Sequence, residues 1–266
     1  MKALAERIRP CLPRLRRYAA AVTGSSRAGD RYVELCLETL FEEPERLDMR
    51  REAAAQLFEL LHDAIDACGL EDECPADMEF GGNLARAVLG LRPIDRRLTL
   101  LALLEGLSLV RAAAILALPE TEARRRLAAA RAALREACIA RILVIEDRKP
   151  LADDLAVLIN QTGHRLIGVA SDTRRAAALA QRRHPDLIVA HLHRGMGGIG
   201  PVRAMLEGRG TPVVFLGGRP PALRRRDTAV LGIDDLRDSR VVEDAIDRAL
   251  FRRTIDQEAG RAIAGA

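Results

Sequence analysis

The sequence predicts a multidomain protein, an all-α amino-terminal half followed by an α/β flavodoxin-like half with a five-stranded parallel sheet. Apolar residues recur at three- and four-residue spacing from residue 3 to 137, without β-branched alternation. From Arg141 the pattern changes to short apolar runs separated by amphipathic helices, the signature of strands joined by helical crossovers. The 266 residues, 48% of them hydrophobic, suffice for two domains with separate cores.

The first helical subdomain is expected over 1–68, with helices at 3–21, 30–41 and 51–67. Gly24-Ser25-Ser26 breaks the first pair and offers Ser25 or Ser26 as an N-cap. Residues 69–82, acidic and carrying Pro75 and a glycine pair, read as a linker. A second subdomain at 83–138 holds helices at 83–90, 94–104, 108–116 and 120–137. The boundary falls near Ala140, and the α/β half spans 141–253. Its strands are ILVI, LIGVA, DLIVA, PVVFL and TAVLGI. Residues 254–266 are expected to form a flexible tail.

A formal charge of +4 and a pI near 9.0 would permit nucleic-acid binding, but the distribution decides more than the sum. Between Glu52 and Phe80 there is no Lys or Arg, while Glu59, Asp63, Asp66 and five further acids fall there. Basic residues gather at Arg14–Arg17, Arg124–Arg126, Arg182–Arg183 and Arg224–Arg226. Cys11, Cys36, Cys68, Cys74 and Cys138 lack metal-binding spacing and read as buried free thiols. No apolar run approaches a membrane span and the start lacks a signal-peptide core, so a cytoplasmic protein is expected.

Residues 89–137 are the most specific segment. Ser108 caps a short helix ending near Leu116, Leu118-Pro119 turns the chain, and a basic helix opens on Glu120. This helix-turn-helix resembles the DNA-reading region of extracytoplasmic-function sigma factors through Glu105–Ser108, Ala112–Leu116 and Leu127–Leu134. The helices at 3–67 then fall where a sigma factor binds polymerase and melts promoters. Melting needs exposed aromatics for stacking and a basic surface for phosphates. Neither is expected here, since Phe58 sits at a core spacing among acidic residues.

The α/β half resembles the receiver domain of response regulators. In receivers two carboxylates after the first strand and an aspartate after the third hold a divalent cation, and a Thr or Ser and a Lys then secure the phosphoryl group. Glu146 and Asp147 match the acidic pair. His191 occupies the acceptor position, Gly217 and Gly218 the switch position, and Asp235 the lysine position, or Asp234 on a one-residue slip. A pseudo-receiver with weakened or lost Mg binding is expected, and no cofactor is assigned. His191 is read as a neutral filler hydrogen-bonded to Asp147, with a transition-metal site on Glu146, Asp147 and His191 as the lesser alternative. His193 is read as a solvated loop residue.

The pairing of a sigma-like domain with a receiver resembles the PhyR family of general-stress-response regulators. The resemblance extends over residues 12–33, the EGLS segment, VIED at 144–147, GHRLIGVA at 163–170 and AIDRALF at 245–251. It implies a non-enzymatic anti-anti-sigma factor that captures a NepR-like anti-sigma protein, with a sensor histidine kinase as a second candidate partner. The alternative is a sigma-like DNA-binding regulator reading the major groove through Arg124, Arg125 and Arg126. The missing promoter-melting surface makes DNA the disfavoured partner, and no membrane partner is expected.

Overall fold

The computed structural model describes residues 2–68, 83–191, 193, 200–217, 230–233 and 238–264. The 69–82 linker, Arg224–Arg226, Asp234, Asp235, Gly218 and Cys74 lie outside these residues. Two compact units emerge, Met1–Leu134 with Ile255–Ala266, and Arg135–Thr254.

The helical unit contains α1 (Lys2–Ile8), α2 (Leu12–Thr23), α3 (Ser26–Glu42), α4 (Ala53–Cys68), α5 (Asn83–Leu89), α6 (Pro93–Thr99), α7 (Leu109–Ile115) and α8 (Glu120–Ala137). The single helix expected over 3–21 is two helices joined by a 3₁₀ turn at Arg9–Cys11. Pro10 and Pro13 each remove a backbone donor, which the apolar periodicity does not register. Ser25 caps α3 by accepting from the Ala28 N–H (3.3 Å). Gly24, at φ 74°, ends α2 in the left-handed conformation that glycine adopts without strain. Where α3 crosses α2, a Cβ on Gly29 would lie 2.5 Å from the Ala20 backbone nitrogen. The two backbones therefore meet without an intervening side chain.

The expected helical subdomains pack as one unit. Within the first, Tyr18 of α2 and Phe58 of α4 meet edge to face, with ring centroids 4.9 Å apart, and the Tyr18 hydroxyl reaches across to donate to the Arg97 carbonyl (3.3 Å). The buried Arg96 guanidinium donates to the Val22 carbonyl at the end of α2 (2.9 Å) and to the Leu89 carbonyl at the end of α5 (2.6 Å). It satisfies helix-terminal acceptors that would otherwise be orphaned in the core. After α6 the chain widens into a π turn, Leu100–Leu104, in which the Glu105 N–H reaches the Leu100 carbonyl (3.0 Å). The wide turn delivers Glu105 to α2. Its fully buried carboxylate receives Arg14 Nε and Arg17 Nη2, both at 2.8 Å.

The second unit is a parallel sheet of β1 (Arg141–Ile145), β2 (Arg165–Ala170), β3 (Leu187–His191), β4 (Val213–Leu216) and β5 (Val230–Ile233), in the order β2-β1-β3-β4-β5. The described helices are α9 (Lys149–Gln161), α10 (Thr173–Arg183), α11 (Gly200–Arg209) and α12 (Ser239–Ala264). Strand alternation sends Ile142, Val144, Leu187 and Val189 to one face against α9 and α12. Leu143, Ile145, Ile188 and Ala190 go to the other, against α10 and Val202 of α11. The sheet order places a switch point between β1 and β3, where open α/β sheets bind ligands. The final helix runs to Ala264, so residues 254–264 are helical and not the expected tail. No proline or glycine pair stops the helix there, and its residues are mostly good helix formers.

Candidate functional site

The switch point assembles Glu146, Asp147, Arg148, His191, His193 and Gly217. Glu146 follows β1 and its carboxylate is fully buried. It accepts from the Arg148 backbone N–H (2.9 Å) and from Arg148 Nε (3.2 Å). His191, at the end of β3, places Nδ1 3.0 Å from Glu146 Oε2 and 3.0 Å from Arg148 Nη2. The carboxylate that His191 meets is thus Glu146 and not the expected Asp147. The reason is strand geometry: the last residue of β3 faces the first residue beyond β1, and Asp147 is already turned outward.

Asp147 pairs instead with His193, Nε2 to Oδ1 at 2.9 Å. The hydrogen bond from His193 holds the Asp147 carboxyl below its ordinary value. His193, expected as a solvated loop residue, is half-exposed but engaged. Among the described residues, the group with metal-compatible spacing is Glu146, Asp147 and His193, and not the set with His191.

Arg148 is the residue that sequence reasoning missed. Its guanidinium lies against the buried carboxylate and the imidazole, placing a resident cation where a receiver needs a metal and a lysine. A divalent ion would have to displace this cation from Glu146 while gaining no acceptor carboxylate at 191. The residues present therefore do not fit the magnesium site of a receiver. The signal was legible as a basic residue directly after the acidic pair.

Gly217 follows β4 at φ 81°, and a Cβ there would lie 3.4 Å from His191 Cδ2 and Nε2. A threonine or serine at 217 would meet the His191 ring and also carry left-handed strain. His191 and Gly217 thus complement each other. Asp235, the remaining candidate, lies outside the described residues.

In the helical unit, Ser108 caps α7 by accepting from the Arg111 N–H (3.4 Å), as the EGLS pattern predicts. The turn into α8 passes through Ala117 at φ 51°, with the Leu118 N–H donating to the Ala113 carbonyl (2.9 Å). Arg124, Arg125 and Arg126 of α8 each have a carboxylate partner. Arg124 pairs with Glu120 (2.5 Å) and Arg125 with Glu122 (2.8 Å) on the helix's own exposed face. Arg126 turns inward to Asp95 (2.9 Å) and Glu122 (2.7 Å), so it does not face solvent as a DNA-reading residue would. Tyr18, Tyr32 and Phe58 are buried. Phe41 is the correction to the expected lack of surface aromatics: it stands 51% exposed at the end of α3, beside Glu42 and Glu43 rather than in a basic surface.

The cysteines also differ from expectation, for among the described ones only Cys36 is buried, and burial pushes its thiol up to about 11. Among the described residues, no helix is long and apolar enough to cross a membrane.

Comparison with known proteins bears on both units. Residues 8–62 match the family model for the Sigma2 domain of PhyR. The chain is 35% identical over 215 residues to the phyllosphere-induced regulator PhyR of Methylorubrum extorquens, covering 79% of each protein. The crystal structure of the anti-anti-sigma factor PhyR from Bartonella quintana aligns with 97% of this chain and 99% of its own, at 25% identity and a TM-score of 0.50. A co-crystal structure of that organism's PhyR complexed with the anti-sigma factor NepR aligns with 93% and 99% of the two chains, at 26% identity and a TM-score of 0.42. With sequence identity running through the greater part of both proteins, and a sigma-like helical unit followed by a receiver-type sheet, the chain belongs to the PhyR family.

Proposed function

We propose that the chain is an anti-anti-sigma factor of the general stress response. It captures a NepR-like anti-sigma protein in place of a sigma factor and thereby releases that sigma factor for transcription. The supporting observation is the combination of PhyR-family membership with a sigma-type helical unit whose DNA-reading arginines are spent on Glu120, Glu122 and Asp95. A decoy needs the protein-binding surfaces of a sigma factor and no promoter chemistry. Surface ion pairs within one helix are individually weak, so Arg124 and Arg125 alone would not decide against DNA. The inward Arg126 and the acidic setting of Phe41 add to that side of the balance.

The receiver-type unit acts, in this reading, as a pseudo-receiver in the cytoplasm. A sensor histidine kinase meeting it finds His191 where phosphate would be accepted, and Arg148 already neutralises Glu146. The cation supplied in most receivers by a metal is here covalently part of the chain. The domain therefore holds one electrostatic state irrespective of phosphodonor, and partner exchange depends on the relative affinities of decoy and sigma factor for the anti-sigma protein. Among the described residues, the pocket pairs Glu146 with Arg148 and His191, and Asp147 with His193, which leaves this reading a binding role.

Titration with the cognate NepR-like protein, with and without acetyl phosphate, tests this reading. Saturable binding with an unchanged Kd under the phosphodonor is expected. A Kd that tightens tenfold or more with acetyl phosphate would refute the pseudo-receiver, and an absence of binding would refute the decoy.

A further inference from the structure

The amino-terminal edge of the sheet carries a cavity distinct from the switch-point pocket. Arg141 opens β1 and Arg165 opens β2, and the parallel register sets the two side by side. Arg182 and Arg183 close α10. These four arginines, with Leu166 and Ile167, line a concavity of about 380 Å³. Like charges on paired strand positions repel, and two more guanidinium groups at the same cavity add to the repulsion.

Among the described residues, no carboxylate pairs with the side chain of Arg141, Arg165, Arg182 or Arg183. Asp186 is committed elsewhere, accepting the backbone N–H of Arg141 through Oδ2 (2.9 Å) and facing the Arg253 guanidinium through Oδ1 (3.5 Å). Arg183 donates to the Ile167 carbonyl, which holds its guanidinium at the cavity wall. Cations in the last turn of α10 complement the helix dipole, but that effect does not reach the two arginines placed by strands.

We propose that this cavity binds a compact polyphosphate, the diphosphate or triphosphate group of a small soluble ligand. Guanidinium forks match phosphate oxygens in a bidentate way, and four of them converging from two strands and one helix suit adjacent phosphoryl groups better than a single carboxylate. The concavity is of small-molecule size.

Isothermal titration calorimetry of the full chain with sodium tripolyphosphate tests the site, with parallel titrations of a nucleoside triphosphate, of sodium sulfate at matched ionic strength, and of vesicles containing anionic lipid. One saturable site per chain is expected for tripolyphosphate. Affinity should fall at least tenfold in the double variant Arg165→Ala/Arg182→Ala, both being exposed residues whose loss leaves the circular dichroism spectrum intact. It should be unchanged in Arg174→Ala at the opposite end of the same helix. Tighter binding of the nucleoside triphosphate would extend the site to a nucleotide, and equal binding would assign recognition to the phosphates. The proposal is overturned by the absence of saturable binding, by equal weakening in Arg174→Ala, by sulfate binding equally well (an adventitious ion only), or by binding to vesicles alone.

Discussion

Acidification from pH 7 to pH 5 should destabilise the helical unit through a single buried imidazole. His62 is 5% exposed, and its Nε2 lies 2.8 Å from the Tyr18 hydroxyl, which itself donates to the Arg97 carbonyl (3.3 Å). Its Nδ1 has no hydrogen-bond partner among the described residues. A proton added there would be a charged donor in a dry core beside the Arg97 guanidinium. Burial first, and that guanidinium second, push the His62 pKa from 6.5 down to about 3. Below pH 6.5 the unfolded chain takes up a proton that the folded chain refuses, so stability falls with pH through the window from 6.5 to about 3. At roughly 1.4 kcal/mol per pH unit, the loss at pH 5 is about 2 kcal/mol. Urea denaturation followed by circular dichroism at 222 nm, on wild type and His62→Leu at both pH values, isolates the effect. His164, whose pKa burial also lowers, lies in the other unit and cancels in the difference. Wild type should lose about 2 kcal/mol more than the variant between the two pH values. An equal loss in the two proteins would show that the His62 imidazole is not the group responsible.

Three further perturbations follow from the same geometry. Glu105→Ala removes the buried carboxylate that receives Arg14 and Arg17, whose side chains are partly exposed and can turn to water, at a cost of about 2 kcal/mol, visible in calorimetry as a fall in Tm of a few degrees; a Tm within one degree of wild type would show that Glu105 does not anchor α2. Gly29→Ala forces a methyl group against the Ala20 backbone and should cost about 2 kcal/mol in urea denaturation, whereas a neutral effect would show that α2 and α3 can separate freely. His191→Asp alone should incorporate no label from radioactive acetyl phosphate, because Arg148 remains on Glu146 and neither Gly217 nor Asp235 supports the transferred charge; labelling near one equivalent would show the pocket to be a competent receiver.

Much of the architecture was legible because its periodicities are local. The caps at Ser25 and Ser108, the opening of α8 at Glu120 and all five strands stand where the spacing of apolar and capping residues put them. What was not legible depends on contacts distant in sequence or on backbone exceptions. Pro10 splits the first helix without disturbing its apolar stripe, and the π turn at Leu100–Leu104 looks like any leucine-rich helix in one dimension. Glu105 could be read as part of the EGLS pattern, but its anchoring to Arg14 and Arg17, 91 and 88 residues away, requires the folded chain. At the switch point the residue types were evident and their pairing was not. Strand register gives His191 to Glu146, and the residue two positions on reaches Asp147. Arg148 was overlooked because a receiver pattern directs attention to the missing lysine after the fifth strand, while here the cation comes from the turn after the first.

Displacement of the sigma factor is the event on which a decoy function depends. A preformed complex of the cognate sigma factor with its NepR-like anti-sigma protein, the sigma factor carrying a fluorescent label, is titrated with the full chain in the absence of any phosphodonor. A decoy gives a dose-dependent fall in anisotropy to the value of the free labelled sigma factor, with a stable complex of chain and anti-sigma protein recovered by size exclusion. Anisotropy that stays at the value of the sigma complex at saturating chain, with and without acetyl phosphate, would contradict the decoy function.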